Sequence, residues 1–381
     1  MDKKFENRKF YDSKLLGSII KVNRLLQNMS QTSLVEGICV PSYLSRIENA
    51  EIIPSIEVVN EIFKALNLEY FDDPEFILEN KQLFDDYIHA LLEGELGLAS
   101  ELYETINRDE KKLMCSPIII EFLLVKYLRL VDSEQRDEIA AVDRLLVSIL
   151  DYMDTDQLHI YMLYKGIDLR DVDREFKTAE TCFKKAETEK ITGKVHHELA
   201  KLYFEWGNMI LALDYINKAQ NLYSEEGNIM GLIAVNMIKG QIFVYENQYA
   251  TGIKYLTKCA KLFRRIKEPT YETYIYNHLA WAYILDGQLD RGQKVLAKCS
   301  KESILLKQIS KDLIDPLSKG ENPFWYDNLE VIENRLEAQQ QTGRYHKLEE
   351  KYLELRRNQL YRSMRKYKKI DDYRVEKLQV E

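Results

Sequence analysis

Residues 30–55 read SQTSLVEGICVPSYLSRIENAEIIPS, and this stretch decides the fold of the N-terminal part of the chain. Ser30 is placed to cap a short helix, because its hydroxyl can accept a hydrogen bond from an otherwise unpaired amide of the first turn. A second short helix is predicted from Pro41, since a proline at the first helical position loses no hydrogen bond. Gly37–Val40 supplies a turn between them. The stretch therefore predicts two short helices joined by a tight turn.

Further helices are predicted on both sides of this pair. One covers the apolar positions of residues 15–26, and two more follow the pair, one of them capped by Ser55 and ending near Asn67. Two short helices joined by a tight turn inside a five-helix core make a helix-turn-helix, whose second helix fits the major groove of DNA. We therefore predict a DNA-binding domain over residues 1–69.

Polar side chains on the outer, N-terminal part of the helix that begins at Pro41 can reach base edges and phosphates. An amide side chain at the start of the preceding helix can lie against a phosphate beside the first backbone amides. The alternative is a solvated face on a small packing domain, but the pattern extends over about fifty residues. The predicted DNA-contacting residues are Gln31, Ser42, Tyr43, Ser45 and Arg46.

Residues 14–67 resemble the Xre/Cro-type helix-turn-helix. The resemblance is carried by the combination of SQxxLxxxIC, SYLSRIEN and PSxxxxxxIxxAL. It implies a structural ion pair between Arg24, near the end of the first helix, and Glu48, after the recognition helix. Loss of either partner would leave the other charge desolvated. Ala50 departs from the family, which usually has glycine there, so a tight or strained turn is expected at this position.

The middle of the chain contains an internal repeat with a spacing of forty residues. Each copy combines small and aromatic positions in the order of a tetratricopeptide repeat, where small residues let paired helices approach and the aromatic residue fills the space between repeats. Gly207, Asn247 and Gly287 fall at the bend of each pair, where a left-handed conformation is needed. The equivalent positions are Ala200, Gly240 and Ala280; Tyr203, Phe243 and Tyr283; Ala212, Gly252 and Gly292; Ile216, Leu256 and Leu296; and Ala219, Cys259 and Cys299.

Further helix pairs flank these copies. An earlier copy contains Ala179, Phe183 and Ala186, and more degenerate pairs are predicted over residues 83–106, 116–153 and 324–364. About six hairpins predict a right-handed tetratricopeptide-like α-solenoid with a concave inner face. The break at Asp72-Asp73-Pro74 separates the DNA-binding domain from this second domain, residues 70–381. The predicted class is all-α, in keeping with only 15 glycines and 7 prolines.

The first helix of each tetratricopeptide hairpin faces inward, so side chains on these helices are candidates for a peptide groove. Amides can pair with the backbone of an extended peptide, an ammonium can meet a carboxylate, and aromatic rings can receive apolar side chains. Any one of these residues is as well explained as a solvated or packed helix residue; as a set they favour a ligand groove. The set is His197, Lys201, Asn236, Gln241, Tyr245, Tyr274, Asn277 and Trp281.

Catalysis, a cofactor and a metal are not indicated. No GxxxxGK[ST], GxGxxG, HExxH or GxSxG motif occurs, and the six histidines have no metal-ligand spacing. The five cysteines are dispersed and form no CxxC pair. No apolar run is long enough for a membrane span or a secretory signal, so we expect a cytoplasmic protein. The net charge of −8 argues against general coating of nucleic acid but not against a local basic face.

A helix-turn-helix followed by tetratricopeptide repeats resembles the Rap/Rgg/NprR/PlcR/PrgX (RRNPP) family of Gram-positive regulators. The resemblance implies a homodimeric, cytoplasmic receptor for a short imported signalling peptide, which controls binding to a double-stranded DNA operator in quorum sensing. Two alternatives stay open. One is a phage or mobile-element repressor whose solenoid binds a protein partner, and the other is a repeat protein that inhibits a response regulator.

Overall fold

The computed structural model describes the chain from the start of the first helix to the end of the last complete repeat. Every regular element in this part of the chain is helical, which confirms the predicted all-α class. None of its helices has the length and apolar composition needed to cross a membrane. The described residues are 12–133, 136–173, 175–264 and 269–298.

Two compact units make up the chain. Helix α11 (Phe176–Glu189) contributes its two halves to different units, so each unit contains two segments of sequence. The units are Met1–Ile167 with Cys182–Ile191, and Asp168–Thr181 with Thr192–Glu381.

The first unit opens with the predicted helix-turn-helix. Ser30 caps its second helix as expected, because its hydroxyl oxygen accepts a hydrogen bond from the Ser33 amide at 3.0 Å. Pro41 occupies the first turn of the third helix, and Gly37 has a left-handed φ of 76° in the turn between the two. The four helices described before residue 70 are α1 (Ser13–Leu26), α2 (Gln31–Leu34), α3 (Pro41–Glu48) and α4 (Ile56–Ala65).

The predicted fifth helix of this domain is not found before residue 70 in the described part of the chain. The segment between α3 and α4 is a turn, because Ala50 is left-handed with a φ of 58° and Pro54 disfavours the helical conformation at the residue before it. The fifth helix in chain order is α5 (Pro74–Glu93), which Asp73 caps by accepting the Phe76 amide at 2.9 Å. The domain boundary at residue 69 remains a prediction.

Two upstream hairpins follow, as the sequence predicts. Helices α5 and α6 (Leu96–Asn107) pack as one pair, and α8 (Ile119–Asp132) and α9 (Arg136–Ser148) pack as another. The first helix also contacts α8 and α9, so the helix-turn-helix shares a core with these helices. Residues Leu150–Tyr152 form a single 3₁₀ turn after α9. The helices are α6 (Leu96–Asn107), α7 (Glu110–Leu113), α8 (Ile119–Asp132), α9 (Arg136–Ser148) and α10 (Thr155–Asp168).

The second unit contains the regular repeats. Between residues 193 and 296, the described helices form three sequential antiparallel pairs. Each predicted bend residue is left-handed, with φ values of 93° at Gly207, 62° at Asn247 and 79° at Gly287. The prediction of these bends is confirmed. The helices are α12 (Gly193–Trp206), α13 (Met209–Glu226), α14 (Ile229–Tyr245), α15 (Tyr249–Phe263), α16 (Pro269–Leu285) and α17 (Leu289–Leu296).

Small residues bring the paired helices together at the predicted positions. A methyl group added at Gly252 of α15 would lie 3.0 Å from the Gly240 carbonyl oxygen of α14, and one added at Gly240 would lie 2.5 Å from Leu256 Cγ. The backbones therefore cross at near-contact distance. The Leu296 side chain, Cys299 and the predicted pair at 324–364 fall outside the described residues.

Candidate DNA-binding and peptide-binding sites

The third helix presents its polar residues outward. Leu44 and Ile47 are fully buried and fix the inner face of α3. On the other face, Ser42 and Arg46 are exposed, and Tyr43 and Ser45 are half-buried. Arg46 also lies 3.5 Å from Glu51, with both side chains more than half exposed. Such an exposed pair is weak, so a phosphate can take the place of Glu51 at little energetic cost.

Glu48, the last residue of α3, binds side chains from two other helices. Arg24 Nε and Nη2 donate to its two carboxylate oxygens at 2.6 and 2.9 Å, and both residues are buried. The Gln31 side-chain amide donates to the same carboxylate at 2.8 Å. The structure thus brings Arg24 and Glu48 together, and it holds Gln31 at the start of α2 through the acidic partner of this ion pair.

Four of the residues predicted for a peptide groove pack around α14 and its two neighbours. The Gln241 amide of α14 donates to the Tyr274 hydroxyl of α16 at 3.0 Å, and Tyr274 remains 43% exposed. The Tyr245 ring packs edge-on against Phe204 of α12 at 6.0 Å. Asn277 is half-buried one turn after Tyr274. Helices α12, α14 and α16 therefore share one surface, on which the Tyr274 ring is exposed, Tyr245 and Asn277 are half-buried, and the Gln241 amide is buried.

Besides Gln241, which is 5% exposed, two predicted groove residues are buried. Trp281 is 5% exposed and belongs to the packed interior of its repeat. Asn236 is 4% exposed, and its amide donates to the Leu232 carbonyl of its own helix. The forty-residue register places Trp281 and Asn236 on the first helices of their repeats, but it does not predict how much of each side chain the next repeat buries.

A network of charges beside Lys201 was not predicted. Arg170, in a π-helical segment over Leu169–Asp173, is fully buried and donates to Asp171 at 2.7 Å and to Glu198 at 2.6 Å. Lys201 Nζ lies 3.2 Å from the Asp171 carboxylate. The signal in the sequence is the run DLRDVDRE at residues 168–175, which is unusually rich in both signs of charge.

The network changes the ionisation of its members. Burial opposes ionisation of Asp171, but Arg170 and Lys201 outweigh it and lower the pKa of this carboxyl to about 2. Burial also opposes ionisation of Glu198, whose pKa nevertheless lies well below its ordinary value because Lys194 and Arg170 are close. His197 lies 3.4 Å from Glu198, yet burial lowers its pKa. At neutral pH Arg170, Asp171 and Glu198 are therefore charged, and the His197 imidazole beside them is uncharged.

No group of three or more His, Cys, Asp or Glu side chains within the described ranges is placed to hold a metal ion. The same residues do include a short helix with an exposed polar face and a surface of amide, aromatic and charged groups. Both are suited to binding.

Comparison with known proteins agrees with this arrangement. Residues 20–72 match the helix-turn-helix family HTH_3. The transcriptional activator NprA of Geobacillus stearothermophilus, an RRNPP regulator, is 27% identical over 212 residues, which cover 51% of this chain and 49% of NprA. The chain is similar to this RRNPP regulator over that stretch. It spans about half the length of this curated relative.

Two other RRNPP regulators with solved structures match this chain at low sequence identity. PlcR of Bacillus thuringiensis, in complex with the peptide PapR7 and DNA, is 14% identical with a TM-score of 0.37, covering 79% of this chain and 99% of PlcR. The apo form of ComR from S. thermophilus is 17% identical with a TM-score of 0.41, covering 74% of this chain and 99% of ComR.

Proposed function

We propose that this chain is a DNA-binding transcriptional regulator that acts in the cytoplasm, with residues 1–69 as the reader. The observation that carries the proposal is the polar, outward face of α3 on a segment that matches the HTH_3 family. The relative NprA is described as a transcriptional activator, which supports the same role. Two copies of the chain read the half-sites of a two-fold operator, about 34 Å apart along the duplex.

Binding-site selection from a random duplex library with the full chain tests this proposal. One enriched, two-fold symmetric sequence is expected. Arg46→Ala then weakens binding to it by about tenfold, because a base or phosphate contact from arginine contributes about 1–3 kcal/mol. Arg291→Ala, at an exposed position of α17, is the matched control and leaves affinity unchanged. Failure to enrich any sequence contradicts the proposal.

We further propose that residues 70–381 form the sensing and dimerisation part, and that the surface on α12, α14 and α16 binds a short signalling peptide. Support comes from the Gln241–Tyr274 hydrogen bond, which leaves an exposed ring beside a fixed amide, and from Lys201 at the edge of the charged network. An extended peptide can use amide groups for its backbone and aromatic rings for its side chains. Peptide binding then favours one conformation of the dimer and alters its operator affinity.

Selection of peptides from a random heptapeptide library on the immobilised full chain tests the sensing role. A selected peptide is expected to bind wild type and to lose about tenfold in affinity with Tyr274→Ala, because an exposed anchoring ring contributes more than 1 kcal/mol. Tyr255→Ala on α15 is the control for loss of a tyrosine ring elsewhere in the repeats. Selected peptides that bind the Tyr274 variant as well as wild type contradict this site.

A further inference from the structure

Two helix ends in the first unit are capped by side chains from distant parts of the chain. Lys21 Nζ of α1 donates at 2.6 Å to the carbonyl of Ser148, the last residue of α9. The Tyr152 hydroxyl, in the turn after α9, donates to the carbonyl of Glu48, the last residue of α3. Carbonyls at a helix C-terminus lack an intrahelical partner. The helix-turn-helix thus caps α9, and the segment after α9 caps the recognition helix.

The C-terminal end of α3 is held on several sides. The Glu48 carboxylate binds Arg24 and Gln31, as described above. A methyl group added at Gly17 of α1 would lie 2.7 Å from the Ile47 carbonyl oxygen, so α1 and the end of α3 are in close contact. The Tyr152 hydroxyl, from outside the helix-turn-helix, adds its hydrogen bond to the same end of α3. The outer face of α3 stays open, since Ser42 and Arg46 are exposed and Tyr43 and Ser45 are half-buried.

Two further hydrogen bonds attach the same group of helices to the rest of the unit. The buried Asn23 amide donates to the Met114 carbonyl at 2.9 Å, and the Phe71 amide donates to the Cys115 carbonyl at 3.0 Å. These bonds anchor α1 and the segment after α4, but neither reaches α3. The Tyr152 hydroxyl, by contrast, does reach α3, at the Glu48 carbonyl.

We propose that Tyr152 is a positioning residue for DNA recognition, which sets the orientation of α3 through the Glu48 carbonyl. The proposal rests on the DNA-binding function proposed above. Hydrogen bonds to base edges need donor–acceptor distances within a few tenths of an ångström, whereas attraction to phosphates is sequence-independent and tolerates displacement. Loss of the Tyr152 hydroxyl therefore reduces affinity for the selected operator and spares affinity for unrelated DNA.

The test compares the full-length wild type with Tyr152→Phe, which removes one oxygen atom. Dissociation constants are measured for the selected operator and for a scrambled duplex of equal length at one salt concentration. We expect operator affinity to fall about fivefold, as for loss of one net hydrogen bond, with scrambled-duplex affinity unchanged within about twofold. Tyr249→Phe is the matched control, since it removes a hydroxyl that donates to Asn247 at 2.8 Å in the repeats.

Each other outcome has a distinct meaning. If Tyr152→Phe leaves the ratio of the two affinities at its wild-type value, Tyr152 does not position α3, and the DNA-binding function still stands. A parallel fall in both affinities together with a lower melting temperature assigns Tyr152 a general stabilising role and overturns the proposal. A wild type that binds both duplexes with equal affinity shows no sequence-specific recognition, which overturns the proposed regulatory function and this inference together.

Discussion

Ala50 occupies a backbone conformation that glycine adopts without strain. Its φ is 58°, and its amide and that of Glu51 donate to the Ile47 and Arg46 carbonyls at 3.0 and 2.9 Å, which closes α3 with a Schellman turn. An alanine in the left-handed conformation costs about 1–2 kcal/mol. Glycine avoids this cost, but its greater entropy in the unfolded state offsets part of the gain in stability. We predict that Ala50→Gly raises the free energy of unfolding by about 0.5–1 kcal/mol in urea denaturation.

The same substitution in an ordinary helix gives the control. Ala141 is exposed within α9, so Ala141→Gly lowers the free energy of unfolding by about 1 kcal/mol. If both substitutions change the free energy of unfolding in the same direction, strain at Ala50 does not contribute to stability. The resemblance to Xre/Cro domains identified this position from the sequence, because the usual glycine is missing there.

Asp171 gives the charged network a pH dependence. Its folded-state pKa of about 2 lies below the ordinary value of 3.8. Its stabilising contribution is therefore complete above pH 3.8 and is lost as the pH falls toward 2. Since its side chain is 38% exposed, solvent screening reduces the contribution to about 1 kcal/mol.

We predict that Asp171→Asn lowers the free energy of unfolding by about this amount at pH 7 and by much less near pH 2. Urea denaturation at several pH values measures the difference. Asp214→Asn, at an exposed i,i+4 pair with Lys218, is expected to change stability by less than about 0.5 kcal/mol throughout. A constant difference for Asp171→Asn across the pH range would mean that its charge is not the cause.

At the scale of secondary-structure elements, the crossing of α14 and α15 depends on Gly252. A methyl group there would lie 2.5 Å from Val244 Cγ2 and 3.0 Å from the Gly240 carbonyl oxygen. The backbone oxygen cannot move without separating the helices. We predict that Gly252→Ala destabilises the protein by about 1–2 kcal/mol, because overpacking exceeds the gain in helix propensity.

Gly97 in α6 is the control for this prediction, since a methyl group there has no neighbour within 4 Å. Gly97→Ala is expected to stabilise the protein by about 0.5–1 kcal/mol through helix propensity. Thermal unfolding of both variants measures the contrast. A stabilising Gly252→Ala would show that the helix pair adapts to the added volume.

The periodic parts of these elements could be predicted from the sequence. Small residues at the crossings and left-handed residues at the bends recur with the repeat, and each has a local steric cause. The helix-turn-helix was equally clear, because its caps and turn lie within residues 30–55. The Arg170 network was not predictable, since its partners come from segments without a common period. The burial of Asn236 and Trp281 was also missed, because it depends on the neighbouring repeat.

At the scale of the whole molecule, a break in the sequence was an incomplete guide to organisation. Asp72-Asp73-Pro74 does interrupt the helices, since α5 begins at Pro74. Yet Asn23, Lys21 and Tyr152 hydrogen-bond across the predicted boundary and give α1 and α3 contacts with later helices of the same unit. A helix-breaking run of this kind predicts where one helix ends and the next begins. It does not predict whether the segments on its two sides pack together.

If one chain binds both peptide and operator, the two affinities are linked. Whatever factor the peptide applies to operator affinity, the operator must apply to peptide affinity, because both describe one thermodynamic cycle. We predict equal factors, about 5–150-fold, when titrations of the full chain are performed with and without saturating amounts of the other ligand. Tyr274→Ala should weaken peptide binding while leaving operator affinity without peptide unchanged. If both ligands bind but neither changes the affinity for the other, the two sites are uncoupled, and the peptide is not the regulatory signal.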